Sequence, residues 1–168
     1  MSIDIKKYDR TKERNDIDIS GLQVSFFSFQ DHQREILQDI FIKARTLIPK
    51  WIEYINVRND PEDGSNYCSI LPRLPYRYAT IYIHPSFFSS TMSSEEMFWS
   101  IIHELLHIHV WQTTFSMKNL IDSYFADNES AKTMMAKTAM DAEESVVCDL
   151  TRAFKDFSES LTVEKAED

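Results

Sequence analysis

The chain has 168 residues, 43% of them hydrophobic, and a net charge of −9 with a pI near 5.0. That length and apolar content suit one domain with a sizeable core, expected to span residues 1–168. The acidic balance argues against a surface that holds nucleic acid by its phosphates. Two Gly and five Pro leave little room for linkers, and the sequence shows no repeat or low-complexity tract.

Residues 1 to about 20 are polar and charged and read as a loosely held arm. Met1 to Lys7 contains no apolar run of the secretory kind, and no stretch approaches the length that crosses a bilayer. Cys68 and Cys148 fit no C-x-x-C spacing and read as reduced structural thiols. Together these point to a cytoplasmic protein, or one acting in a host cytoplasm if virus-encoded, with no membrane partner.

Leu22 to Phe29 reads as a first strand, and Asp31 to Ile48 as an amphipathic helix closed by Pro49. His32, near that helix start, reads as a surface or capping residue. Trp51 to Val57 reads as a strand and residues 59–65 as a turn. A short strand over Tyr67 to Leu71 is expected to be interrupted by Pro72 and Pro75. Tyr78 to His84 is rich in β-branched and aromatic residues, the clearest strand signal in the chain, and Pro85 ends it. The spacing of Ser93 and Glu96 is that of a capping box. The helix it opens is apolar on most of its circumference from Phe98 to about Trp111 or Thr113, and so is expected to be largely buried. After a polar connection come a short helical piece from Met117 to Phe125 and a new helix start at Asp127-Asn128. Asp141 caps a further helix or lies inside one long one. Met140, Glu143, Val147, Leu150, Phe154 and Phe157 form one stripe with steps of three and four. Residues 158–168 are an acidic tail. The fold class expected is α+β: a small mixed or antiparallel sheet packed against a central helix, followed by a C-terminal helical region.

Inside the apolar helix lies His103-Glu104-Leu105-Leu106-His107, an H-E-x-x-H pattern. Residues four apart on a helix lie about 40° apart on one face, so both imidazoles can converge on one metal ion. Glu104 is then placed to take a proton from a water on that ion. The five-residue pattern arises by chance in roughly one sequence per hundred of this composition. Imidazoles on a buried helix are costly unless a partner satisfies them, and a bound cation is such a partner.

A catalytic Zn²⁺ needs a third protein ligand and an open position. A third histidine in the pattern H-E-x-x-H-x-x-G-x-x-H is excluded, because Val110 and Thr113 stand where Gly and His are required. His109 lies about 200° round the helix from His107 and suits a core or second-face role. The third ligand is therefore expected to be a carboxylate. Asp122 lacks the Gly-Thr context of an aspartate-ligand site. Glu129 has a suitable separation from His107 but a polar setting that needs no metal. Glu143 on the apolar stripe is preferred, Glu144 is the next choice, and Glu129 the third.

The strand Tyr78 to His84, the Pro-Ser-Phe-Phe connection, the Ser-Glu-Glu helix start and Ile-Ile-His-Glu-Leu-Leu-His together resemble the minimal core of the zincin metallopeptidases. The later Glu-Glu-Ser-Val-Val-Cys-Asp-Leu run looks like the glutamate-donating helix of the gluzincin branch, especially in small bacterial and phage-type metallopeptidases. The resemblance covers roughly residues 50–157, and its motifs are specific for His103, Glu104 and His107. It implies a zinc-dependent endopeptidase acting on a protein or peptide, with Tyr78 to His84 as the strand beside the substrate. No Asp follows Glu143 or Glu144 by four residues, where larger gluzincins carry one that supports the site; Asp149 is five or six on. An oxyanion donor is sought among Tyr76, Tyr78, His84 and Tyr124. The competing expectation is a metallopeptidase-like binding or inhibitory module in which zinc is structural or absent.

Overall fold

Ser20 and Gly21 turn the chain between its first two strands, both with positive φ, 53° and 81°. A two-residue turn of that hand matches the twist of the strands it joins, and the Asp18 carboxylate accepts the Gly21 N–H at 3.0 Å. The strands are β1 (Arg14–Ile19) and β2 (Leu22–Phe27), paired antiparallel. The computed structural model describes residues 14–60, 67–73 and 76–164. The expected N-terminal arm is thus a strand from Arg14 onward, and residues 1–13 lie outside the described part. As an edge strand, β1 tolerates Asp16 and Asp18, whose side chains are exposed.

Helix α1 (Asp31–Ala44) buries Leu37, Ile40, Phe41 and Ala44. At its end the Arg45 guanidinium donates to the carbonyls of Ile19, at 2.9 Å, and Ser20, at 3.2 Å, which ties the helix to the first turn. Strands β3 (Tyr54–Asn59), β4 (Cys68–Arg73) and β5 (Tyr78–Ile83) complete a five-stranded sheet of order β1-β2-β3-β5-β4. The β2–β3 and β3–β5 pairs are parallel and the two outer pairs antiparallel, so the sheet is mixed. Most of the turn expected over 59–65 lies outside the described residues.

The strands alternate as a half-buried sheet should. Leu22, Val24 and Phe26 of β2, Ile55 and Val57 of β3, and Ala79, Ile81 and Ile83 of β5 form the inward row. They share one core with Leu37 and Phe41 of α1 and with Ile101, Ile102 and Leu105 of the next helix. The α+β class holds. Strand β4 was expected to break at Pro72 but continues through it. Tyr67 O accepts the His84 N–H, which sets the odd-numbered residues of β4 toward β5. Pro72 therefore lies on the outward alternation, where no ladder bond needs its missing N–H.

Helix α2 (Ser94–Tyr124) opens on the expected capping box. Glu96 N–H donates to Ser93 Oγ at 3.2 Å, and Ser93 N–H to Glu96 Oε2 at 2.7 Å. Ser93→Ala is expected to cost about 1 kcal/mol in urea unfolding and to leave metal affinity unchanged. The helix runs unbroken past Thr113, and the piece expected from Met117 is its last two turns. The polar residues at 112–116 include no Gly or Pro, so nothing there stops a helix. Burial follows the expectation only to Ile108; beyond it, Ile121 alone is buried. Helix α3 (Glu129–Glu164) starts where Asn128 Oδ1 accepts the Ala131 N–H at 3.0 Å. Asp141 lies inside it, and the expected tail is helical to Glu164, with 165–168 outside the described residues.

Candidate metal centre

Helices α2 and α3 run antiparallel, as their cross-links show. Asp122 meets Lys132 at 3.2 Å near the connection, and Glu95 meets Lys155 at 3.0 Å at the far end. Midway between these bridges, α3 faces His103 and His107, whose rings lie 5.1 Å apart. Glu144 Oε1 is 3.2 Å from His103 Nε2, and Glu144 Oε2 is 3.4 Å from His107 Nε2. One ligand atom from each of the three residues lies within 4.8 Å of the others. Metal–ligand bonds of about 2.0–2.1 Å in a tetrahedral site separate neighbouring ligand atoms by about 3.3–3.4 Å. The three residues can hold a metal ion.

Glu143 was preferred as third ligand from its place on the apolar stripe, but the structure brings its neighbour to the two Nε2 atoms. Glu143 Oε1 instead lies 2.9 Å from His107 Nδ1, with its side chain only 9% exposed. A metal with an open coordination position has to face a cleft. The residue on the buried stripe therefore ends up behind the imidazole, and the one about 100° round the helix faces the opening. The Glu144 side chain is 56% exposed.

Both histidines are oriented from behind. The Glu143 carboxylate can only accept, so His107 donates to it from Nδ1, which leaves Nε2, 3.4 Å from Glu144, as the nitrogen that a metal would take. Thr151 supports His103 in the same sense. Its hydroxyl donates to the Val147 carbonyl at 2.8 Å, so the oxygen faces His103 Nδ1, 3.5 Å away, as an acceptor. Burial holds the His103 pKa below its ordinary value, against the pull of the Glu144 charge. Thr151 was not singled out from sequence. Its place seven residues after Glu144, on the same helix face, is the one signal that could have found it.

Glu104 points from α2 to the sheet edge, where its carboxylate accepts the Ile70 N–H of β4. Burial, and then the Glu144 charge, push its pKa from 4.5 up to about 8. In the metal-free protein the folded state keeps this proton between pH 4.5 and 8 while the unfolded chain releases it. Stability therefore falls as pH rises through that window. Glu104→Gln keeps an acceptor for Ile70 and removes the charge. Metal-free Glu104→Gln is expected to match wild type at pH 4 and to exceed it at pH 8.5 by a few kcal/mol in urea unfolding. A constant difference across the range would contradict that origin.

The strand beside the site is β4, not the one running from Tyr78 to His84. Strand β5 is enclosed between β3 and β4, so its backbone groups are spent in two ladders, while β4 keeps an outward edge. A cavity of about 520 Å³ opens here, lined by residues that include Tyr67, Cys68, Trp99, His103, Glu104 and Glu144. Burial, then the Glu104 charge, push the Cys68 thiol far up. Both cysteines are free thiols.

The remaining sequence candidates lie elsewhere. Glu129 opens α3, about 22 Å along the helix from Glu144. Asp122 is paired with Lys132. Tyr124 is 82% exposed at the end of α2, about 25 Å along the helix from His107. Tyr76 and Tyr78 rest against each other at 6.3 Å, and His84 is buried; none of the three lines the cavity. Tyr67, which does line it, was not among the expected oxyanion donors. His109 Nε2 donates to the Leu47 carbonyl at 2.7 Å on the second face of α2, and His32 is exposed on α1. No helix of the described residues is long and apolar enough to cross a membrane. No protein family, curated protein or solved structure matches this chain.

Proposed function

We propose that the chain is a zinc-dependent peptidase acting on a peptide or protein substrate. One observation carries the reading: Glu144 bridges the Nε2 atoms of His103 and His107, while Glu104, from the same helical turn, reaches the adjacent sheet edge. Two imidazole nitrogens and a carboxylate oxygen, with the fourth side toward a cavity, are the donor set of a catalytic rather than a structural zinc site.

Zinc held there supplies Lewis-acid activation of water and of the peptide carbonyl. Glu104 accepts the proton released as water attacks and delivers it to the departing amine. The Ile70 N–H holds the Glu104 carboxylate in place for both transfers. Glu143 and Thr151 keep the imidazoles turned toward the centre, so that little reorganisation is needed as substrate binds. The outward edge of β4 offers the backbone groups of Cys68 and the carbonyl of Ile70, along which an extended peptide can lie beside Glu104.

The test is a mixture of short peptides incubated with the zinc-loaded protein and read by mass spectrometry. New termini are expected, lost with a chelator and restored by zinc. A zinc-loaded protein that produces none favours a binding module instead.

A further inference from the structure

The cavity beside the metal centre extends along α2 toward its N-terminus. Glu96, Ser100, His103 and His107 share one face of that helix, and the first three of them line the cavity. At 1.5 Å per residue, Glu96 lies about 10 Å from His103 along the axis. Ser100 lies between them on α2, and Met92 and Trp99 add apolar surface to the same cavity. The charged side chains lining the cavity, among the described residues, are Glu96, Glu104 and Glu144, with no lysine or arginine. Glu104 and Glu144 belong to the centre itself, so Glu96 is the charge at the far end. Its Oε2 receives the N–H and the hydroxyl of Ser93, both at 2.7 Å, which fixes the carboxylate. Lys155, bound to Glu95 at 3.0 Å, also acts on the Glu96 charge, so a substrate cation there adds to a partly screened carboxylate.

We infer that this cavity takes a long basic side chain, arginine or lysine, from the substrate residue next to the cleaved bond, and that Glu96 reads its charge. The inference rests on the peptidase reading above. The methylene stem of such a side chain lies along Met92 and Trp99, a guanidinium gains further from the indole face, and its length spans the distance to Glu96. Leucine would meet the same apolar surface and stop short of Glu96. An acidic side chain would meet three carboxylates.

Amino-acid hydroxamates bind zinc by themselves and present one side chain beside it, so no substrate has to be known. Binding of arginine, citrulline and leucine hydroxamates to the zinc-loaded protein is measured by calorimetry. Citrulline has the shape of arginine without its charge. Arginine hydroxamate is expected to bind about 1.5- to fivefold tighter than the citrulline compound, the range for one solvent-accessible ion pair. Glu96→Gln preserves the capping box, and is expected to erase that difference while zinc content and citrulline affinity stay as in wild type. Equal affinities for arginine and citrulline, tighter binding of leucine, or a preference that survives Glu96→Gln overturns the inference and leaves the metal centre standing. A protein that holds no zinc removes the peptidase reading, and this inference with it.

Discussion

Glu104→Gln is expected to lower peptide hydrolysis by about 10²–10⁴-fold, the range associated with a positioned general base. Zinc affinity should change little, because the Glu104 carboxylate is directed to the Ile70 N–H rather than to the imidazole nitrogens. The amide keeps the shape and the hydrogen bond to β4 and loses only the ability to take a proton. Steady-state cleavage of one selected peptide, with zinc content measured on the same samples, separates the two effects. Wild-type rates in a fully zinc-loaded Glu104→Gln protein would exclude Glu104 as the proton acceptor.

The two adjacent glutamates are expected to differ sharply when removed. Glu144→Ala deletes one of three ligands; with binding energy shared evenly among the ligands of a zinc site, that costs about 3–4 kcal/mol, or about 10²–10³-fold in affinity. Glu143→Ala leaves the ligand set intact and frees the His107 ring, a loss of about 10–100-fold of the kind seen when a group behind a ligand is removed. Glu143→Gln should recover part of that loss, since its carbonyl can still accept from Nδ1. Competition against a coloured chelator measures all three. A larger loss from Glu143→Ala than from Glu144→Ala would reverse the roles assigned to them.

The motif residues were legible in sequence because their chemistry is local. The i, i+4 spacing of His103 and His107 fixes their common face, and the Ser93–Glu96 box fixes where that helix begins. The α+β class followed from strand and helix periods that persist in the structure. The choice between Glu143 and Glu144 was not legible, since it depends on how far α3 is rotated against α2. An apolar stripe marks the face turned to the core, and a ligand to an open metal position belongs beside that face. Thr151 was missed for a related reason: one hydroxyl in a helix acquires a role only from what it is packed against. The identity of the edge strand was hidden too. β-Branched and aromatic residues made Tyr78 to His84 the clearest strand, and β5 within it is enclosed by two neighbours, whereas the Pro-containing β4 bears the marks of an edge. The continuous helix through Thr113 shows that polarity alone does not end a helix.

We propose that His103, His107 and Glu144 form one zinc site. X-ray absorption at the zinc edge of the protein loaded with one equivalent measures this most directly. The expected first shell is two imidazole nitrogens with oxygen, at about 2.0–2.2 Å, and Glu144→Ala should remove the carboxylate contribution while both imidazoles remain. Sulfur in the shell from Cys68 or Cys148, or a spectrum unchanged in His103→Ala and Glu144→Ala, would contradict the site described.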